Sequence, residues 1–276
     1  MRYFVEEGSI VREIWGKSDT ILFIFAGASA EFALNKAVDW LYFTGRLPAD
    51  PLGRLFSTVS YARQIVFSDM AGAHRAIDKM AAIHAGVEAK RGMSIPDWAY
   101  RDVLFMLIDY SNRSYELLER KLSYTEKAEV FEVFYRVGDR MGIKGLPETY
   151  AEWLLMREDH LMQNLQPGPY SKDLYKQYRK HLGLMRYGLL LQGQVLVVPA
   201  IVNRLLGLGR YSLLSPVLAL YKLSRKLQMD WLLKAAILPP AYKTEINALD
   251  SAPPASKPKS SASCPFAAKH KRREAV

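Results

Sequence analysis

Apolar residues recur every three or four positions along most of the chain, and no useful stretch alternates between apolar and polar residues. A period near 3.6 is typical of amphipathic α-helices, whereas a period of two is typical of strands. Half of the residues are hydrophobic and 24% are charged, as in ordinary globular domains. The pattern therefore predicts an all-α fold, with about ten helices in a single multi-helix globular domain.

Capping signals place several of the helix starts. Asp50-Pro51 offers an N-cap followed by proline at the first helical position, and the helix that it opens runs to Phe67. A second helix starts at Ser68, and a third opens at Pro96-Asp97. Residues 123–126 read Ser-Tyr-Thr-Glu, which is a capping box for a fourth helix.

The chain divides into a helical domain over residues 1–245 and a disordered basic tail over residues 246–276. From residue 251 onward, four prolines, six Lys or Arg and one Glu leave too little apolar surface to offset the entropy of ordering. Residues 251–276 therefore carry half of the net charge of +10. The remaining charge is spread over 250 residues, so the composition does not indicate a nucleic acid partner.

Cysteine usage and the amino terminus suggest a compartment. Cys264 is the only cysteine, which fits reducing conditions and excludes cysteine-rich zinc sites. The first seven residues contain two acids and no apolar stretch of the kind that a secretory signal needs. We expect a cytoplasmic protein.

An uncharged stretch of 17 residues spans 187–203, which is the lower limit for crossing a bilayer. Three interpretations stay open: a buried core helix, a helix lying in the membrane interface, and a membrane span. A second apolar stretch, 211–221, is too short to span. Its flanking cations, among them Arg210 and Lys222, suit contact with lipid headgroups. We therefore expect peripheral membrane contact through residues 187–226.

The histidines are the main candidates for metal chemistry, because the common nucleotide, hydrolase and zinc motifs do not occur. His160, His181 and His270 lie in or beside charged stretches, which is typical of surface residues. His84 instead interrupts an apolar helical stripe. The other members of the stripe are Met70, Ala73, Ile77, Met80, Ala81 and Val87. Such a histidine is either a hydrogen-bonded core residue or an axial iron ligand in an apolar pocket, and the pattern leaves both open.

One helix earlier, Arg54 and Thr58 are four residues apart and therefore share a helix face. A cation and a hydroxyl on a half-apolar helix commonly form a surface fringe. If they point inward, they are donors placed to polarise a bound oxygen species.

Several motifs together resemble the MpaB and rubber-oxygenase family, a group of haem-dependent oxygenase-like catalytic domains. They are DPLGRLFST at 50–58, AIHAGV at 82–87, the pair Arg91-Gly92, and LIDYS at 107–111. The resemblance implies an all-α protein that holds haem b in a globin-like helical core. It further implies that His84 is the proximal ligand of the haem iron and that Arg54 and Thr58 lie on the distal side. Asp109 matches the family's aspartate in the following helix, which implies a catalytic role.

The resemblance also implies a chemistry. Rubber oxygenases cleave carbon–carbon double bonds of polyisoprene with dioxygen, and the MpaB branch cleaves a prenyl chain. For this chain it implies a haem b-dependent oxygenase that uses dioxygen on an unsaturated, hydrophobic, isoprenoid or lipid-like substrate. Two alternatives stay open: a haem-binding sensor or carrier without turnover, and a membrane-associated helical protein without haem.

Overall fold

The computed structural model describes residues 2–45 and 49–226. Within these residues the chain forms eleven α-helices and no β-strand. The helices are α1 (Ile10–Trp15), α2 (Ser18–Leu34), α3 (Val38–Phe43), α4 (Pro51–Phe67), α5 (Met70–Arg91), α6 (Asp97–Leu118), α7 (Tyr124–Arg140), α8 (Tyr150–Gln163), α9 (Pro169–Val197), α10 (Ala200–Leu206) and α11 (Leu214–Lys226). The all-α, multi-helix single domain is confirmed. The tail predicted over 246–276 lies outside the described residues.

The predicted caps of two helices are present. The carboxylate of Asp50 accepts the backbone N–H of Gly53 at 2.9 Å, and Pro51 occupies the first position of α4. At the start of α7, the Ser123 hydroxyl accepts the N–H of Glu126, whose carboxylate in turn accepts the N–H of Ser123. These contacts satisfy backbone donors that no helical carbonyl can reach.

The start of α5 differs from the sequence prediction. The helix begins at Met70 rather than at Ser68, because the carboxylate of Asp69 accepts the N–H of Gly72 at 2.6 Å and so acts as the N-cap. Gly92 ends the helix in the left-handed region with φ of 69°, a conformation that glycine adopts without a steric cost.

Helix α2 is the central element of the domain. Its side chains are buried on nearly every side, and it packs mainly against α6 and α9. No polar stripe runs along α2. Its apolar surface is therefore shielded from water only when neighbouring helices surround it. The large core residues Ile21, Ile24 and Leu34 on this helix are fully buried.

Helices α4 and α5 form a hairpin beside this core. They are joined by two residues and pack along each other, while α9 contacts α4 and α7 contacts α5. The first half of α5 is anchored in the core through Ala73, Ala76 and Ile77. Its second half, which carries His84, lies near the surface.

The uncharged stretch 187–203 divides between two helices. Pro199 is the N-cap of α10, and Gly183, with φ of 73°, kinks α9 before the stretch begins. One side of the stretch is buried, including Gln194 and Val202. Across the described residues, no helix combines the length and the apolar character needed to cross a bilayer.

Candidate functional site

His84 lies in the second half of α5, where it is half-buried. Its Nδ1 is 2.8 Å from the carbonyl oxygen of Met80, one turn earlier in the helix. A carbonyl can only accept a hydrogen bond, so Nδ1 carries the proton and donates. In the neutral ring this tautomer leaves the lone pair on Nε2, which is the form in which histidine coordinates a metal.

Tyr100, near the start of α6, packs its ring edge-on against the His84 imidazole. The two ring centroids are 5.3 Å apart and the ring planes meet at 77°. The Tyr100 hydroxyl donates to Oε1 of Glu88 at 3.2 Å, and the backbone N–H of Ile95 donates to the same oxygen at 2.7 Å. Glu88 follows His84 by one helical turn, so these contacts hold the His84 ring against α6.

The protonation state of Tyr100 agrees with its role as a donor. Burial raises the pKa of Tyr100 above its usual value, and the neighbouring Glu88 carboxylate raises it further. The phenol therefore stays neutral and keeps its hydrogen bond to Glu88 through the physiological pH range.

The surface next to His84 is apolar and partly open. Ile83 on α5 is 45% exposed and Val103 on α6 is 39% exposed. On α6, Tyr100, Val103 and Leu107 recur at three- and four-residue spacing and therefore share one face. Around His84 the helix has only small residues at 81, 82, 85 and 86, and no atom lies within 4 Å of a Cβ built at Gly86. The helix surface at Gly86 is therefore open.

Arg54 and Thr58 lie on α4, which forms a hairpin with the helix that carries His84. The ammonium group of Lys79 on α5 lies 5.9 Å from the ring centroid of Tyr61 on α4, so the two helices also meet through these side chains. His84 is five residues beyond Lys79 on α5, and Thr58 is three residues before Tyr61 on α4. Thr58 is half-buried. The predicted ligand and the two predicted donors therefore lie on two helices that pack along each other, and a shared site stays a prediction.

Asp109 occupies a different place. It is nine residues beyond Tyr100 on α6, which corresponds to about 13 Å along the axis and half a turn around it. Its carboxylate accepts hydrogen bonds from Arg113 Nε at 2.8 Å and from Arg157 Nη2 at 2.9 Å. These contacts turn Asp109 toward α8 and away from the helix face that contacts His84. A catalytic role of Asp109 stays a prediction.

Arg157 joins two carboxylates in the interior of the domain. Its Nη2 donates to Glu31 Oε2 at 2.6 Å as well as to Asp109, and the Tyr110 hydroxyl donates to Glu31 Oε2 at 2.8 Å. Burial alone lowers the pKa of Arg157, but Glu31 and Asp109 outweigh burial, and the net pKa is raised. Arg157 therefore keeps its charge inside the core.

Sequence analysis did not single out Glu31, Tyr100 or Arg157. Glu31 had a usable signal, since it is the only acidic residue in the apolar run from residue 20 to residue 34. An isolated carboxylate on a helix that is otherwise apolar needs a buried partner. The contacts of Tyr100 and Arg157 depend on how α6 and α8 pack. The spacing of residues in the sequence therefore does not predict them.

The prediction that His160 is a surface residue is wrong. His160 is buried, and its Nδ1 contacts the carboxylate of Asp102, which is only 2% exposed. The side-chain amides of Asn35 and Asn164 donate to the same carboxylate. Its neighbours Glu158 and Asp159 face solvent, whereas the side of α8 that carries His160 faces α6. His181 is exposed, as predicted, and His270 lies outside the described residues.

Within residues 2–45 and 49–226, no three His, Cys, Asp or Glu side chains form a group that could hold a metal ion. Comparison with known families gives a match over most of the chain. The model of the family described as "ER-bound oxygenase mpaB/B'/Rubber oxygenase, catalytic domain" matches residues 15–242. No curated protein is similar enough to the chain to count as a match.

Proposed function

The chain belongs to the family of mpaB/B' and rubber oxygenase catalytic domains, and from that premise we propose that it is a haem b-dependent oxygenase. In this proposal the protein uses dioxygen to oxidise an unsaturated hydrophobic substrate of isoprenoid or lipid-like character. The family is one of oxygenase catalytic domains, and the match includes α2 to α11 in full. The membership supports oxygenase chemistry, and the residues around His84 support the choice of cofactor.

The contact between His84 Nδ1 and the Met80 carbonyl oxygen is the observation that carries the proposal. Donation from Nδ1 to the Met80 carbonyl orients the ring and assigns the coordinating lone pair to Nε2. A porphyrin itself supplies most of the ligands of its iron, so one side chain of the protein would be enough to hold the cofactor. His84 would be that ligand. The small residues around it and the apolar surface beyond it fit a flat hydrophobic ring system.

Arg54 and Thr58 complete the proposed site from α4. A guanidinium and a hydroxyl are donors, and donors beside a reacting oxygen stabilise the negative charge that develops on it. Haem, when bound, supplies the activation of dioxygen, which amino-acid side chains cannot perform by themselves. The roles of the protein are to hold the cofactor, to orient the alkene and to limit the access of water.

The proposed reaction is oxidative cleavage of a carbon–carbon double bond. One oxygen atom of dioxygen goes to each alkene carbon, so the double bond is replaced by two carbonyl groups and no external reductant is needed. Ile83 and Val103 are partly exposed apolar side chains on α5 and α6 that would contact the hydrocarbon. Such contacts favour a substrate without charge near the reacting carbons.

The test is an ultraviolet–visible spectrum and an iron measurement on protein produced with a haem supply. We expect a Soret band and near-stoichiometric iron in the wild type, and the loss of both in His84→Ala. His74→Ala is the matched control, because His74 is on the same helix and its ring packs edge-on against Phe4 rather than against Tyr100. The control should keep its Soret band.

A colourless, folded wild-type protein would exclude the haem proposal, and equal haem content in the two variants would exclude His84 as the ligand. Turnover is measured separately. Aerobic incubation of the haem-loaded protein with polyisoprene and shorter isoprenoid alkenes should release carbonyl products. Stable haem with no oxygen consumption on any of these alkenes would instead favour a haem carrier or sensor.

A further inference from the structure

Charge is strongly segregated in the last third of the described chain. Residues 174–226 contain nine Lys or Arg and no Asp or Glu, although the whole chain has 28 acidic residues. This segment comprises most of α9 together with α10 and α11. The surface that it forms therefore has a positive potential, which attracts anionic partners.

The same segment exposes large apolar side chains in a regular arrangement. Leu213, Val217 and Leu220 are spaced by four and three residues, so they form one stripe along α11 and the residue before it. Their exposed fractions are 79%, 44% and 63%. Tyr211, two residues earlier, is 78% exposed. We call these four residues the apolar stripe.

Hydrogen bonds to two other helices hold the segment of the apolar stripe in place. The Tyr221 hydroxyl donates to Asp19 Oδ2 at 2.8 Å, which fixes α11 against α2. The Ser212 hydroxyl donates to the carbonyl of Gln192 at 2.9 Å, and the N–H of Leu213 donates to the Gln192 side chain at 2.6 Å. These hydrogen bonds anchor the segment to α2 and α9 and leave the side chains of the apolar stripe exposed.

The exposed apolar surface continues along α9. Leu184 and Met185, just after the kink at Gly183, are 70% and 72% exposed. Met185 is seven residues before Gln192 and therefore shares its helix face, about 10 Å away. Gly188 lies between them, and no atom lies within 4 Å of a Cβ built there. The surface of α9 between Met185 and the apolar stripe is therefore open.

Cations lie beside this surface. The guanidinium of Arg210 is 5.5 Å from the ring centroid of Tyr211, Arg186 follows Met185 directly, and Arg204 is exposed on α10. Interfacial protein segments combine cations that reach phosphate groups with apolar side chains that enter the acyl boundary. A second copy of this chain would place cations against cations, which disfavours self-association through this face.

We propose that the apolar stripe, together with Leu184 and Met185, docks the protein on the surface of an anionic lipid bilayer. Charge complementarity selects this partner, and the exposed leucines supply the apolar contact. Docking does not require haem, so this proposal and the proposed oxygenase activity can fail independently. If both hold, the membrane is also the phase from which a lipid-like substrate is taken.

The test is sedimentation of the full chain with vesicles of phosphatidylcholine mixed with phosphatidylserine, and with vesicles of phosphatidylcholine alone. We expect binding to the anionic vesicles that weakens as salt is added. Leu213→Ser/Leu220→Ser should lower the affinity at least about tenfold, because two apolar side chains no longer enter the interface. Leu155→Ser/Met162→Ser is the matched control. Both residues are 69% exposed on α8, but they lie beside Glu158 and Asp159.

Several outcomes would overturn the proposal. Failure of the wild type to bind the anionic vesicles would exclude docking. Equal binding by the two double variants would assign binding to the cations alone. A third outcome is that Leu213→Ser/Leu220→Ser converts a dimer to a monomer without changing vesicle binding, which would make the stripe a contact between two copies. Retained binding by the α8 control with loss in the stripe variant supports the proposal.

Discussion

Gly27 sets the distance between α2 and α6. A Cβ built at this position overlaps the ring of Tyr110, and that ring cannot move freely because its hydroxyl donates to Glu31 at 2.8 Å. Glycine is therefore required here for close helix packing rather than for an unusual backbone conformation. The two helices can approach closely only while position 27 has no side chain.

We predict that Gly27→Ala lowers the free energy of unfolding by about 2 kcal/mol, because the new methyl group overpacks the interface between α2 and α6. Urea denaturation followed by circular dichroism measures the change. Gly188→Ala is the control, since position 188 is also helical but has open space around it. The control should be neutral or slightly stabilising, because alanine favours a helix over glycine. Equal losses in the two variants would contradict the packing argument.

His84 illustrates what residue spacing can predict for a site. Its place on an apolar stripe and its motif mark it as a candidate ligand, and both are visible in the sequence. The orientation of its ring depends on Met80 in the preceding turn and on Tyr100 on another helix. The first contact is local and could be anticipated, whereas the second requires the packing of α5 against α6.

Among the elements, α7 has the best-defined start. Glu126 accepts the N–H of Ser123 at 2.8 Å and an Arg120 Nη2 hydrogen bond at 2.6 Å. The hydrogen bond from Arg120, followed by that from the Ser123 backbone, lowers the pKa of Glu126 to about 2. The ionised carboxylate is therefore favoured in the folded protein.

This shift predicts how the helix start responds to acid. Glu126 has a pKa of about 4.3 when unfolded, so the stability it contributes is present above that pH and is lost as the pH falls toward 2. Glu126→Gln keeps a capping side chain without the charge. We expect the variant to be less stable than wild type at neutral pH, with a difference that shrinks in acid. Denaturant midpoints at several pH values measure it.

Glu132→Gln is the control for the acid experiment. Glu132 is on the same helix, outside its first turn, and its nearest cation is Arg136 with an Nε–Oε1 distance of 3.8 Å. This variant should show little pH-dependent difference from wild type. If the difference in stability between Glu126→Gln and wild type is the same at neutral and acid pH, the charge of Glu126 does not cause that difference.

At the scale of the whole molecule, the buried ion pairs of Arg157 connect three helices. Arg157 on α8 binds Glu31 on α2 and Asp109 on α6, and all three residues are buried. A buried charge without a partner is far more costly than the same charge in water. The network therefore makes the packing of α8 depend on the correct positions of α2 and α6.

We predict that Arg157→Met lowers the free energy of unfolding by about 3–5 kcal/mol, since two buried carboxylates lose their shared cation. Arg113→Met is the control. Arg113 pairs with the same Asp109, but its side chain is 40% exposed, so its removal should cost less than about 1 kcal/mol. Both values come from denaturant unfolding. Similar losses for the two variants would show that burial does not distinguish them.

The sequence by itself determined the helices and the family. Caps such as Asp50 and Ser123 act within three residues, and helical stripes repeat every three or four residues. Both features can therefore be recognised from residues that are close together in the sequence. Tertiary structure decided which polar groups are buried and with what partners. Arg157 meets Asp109 across 48 residues and Glu31 across 126, and His160 meets Asp102 on another helix. Such contacts form only when helices pack, because side-chain forces act over a few ångströms in space and not along the chain.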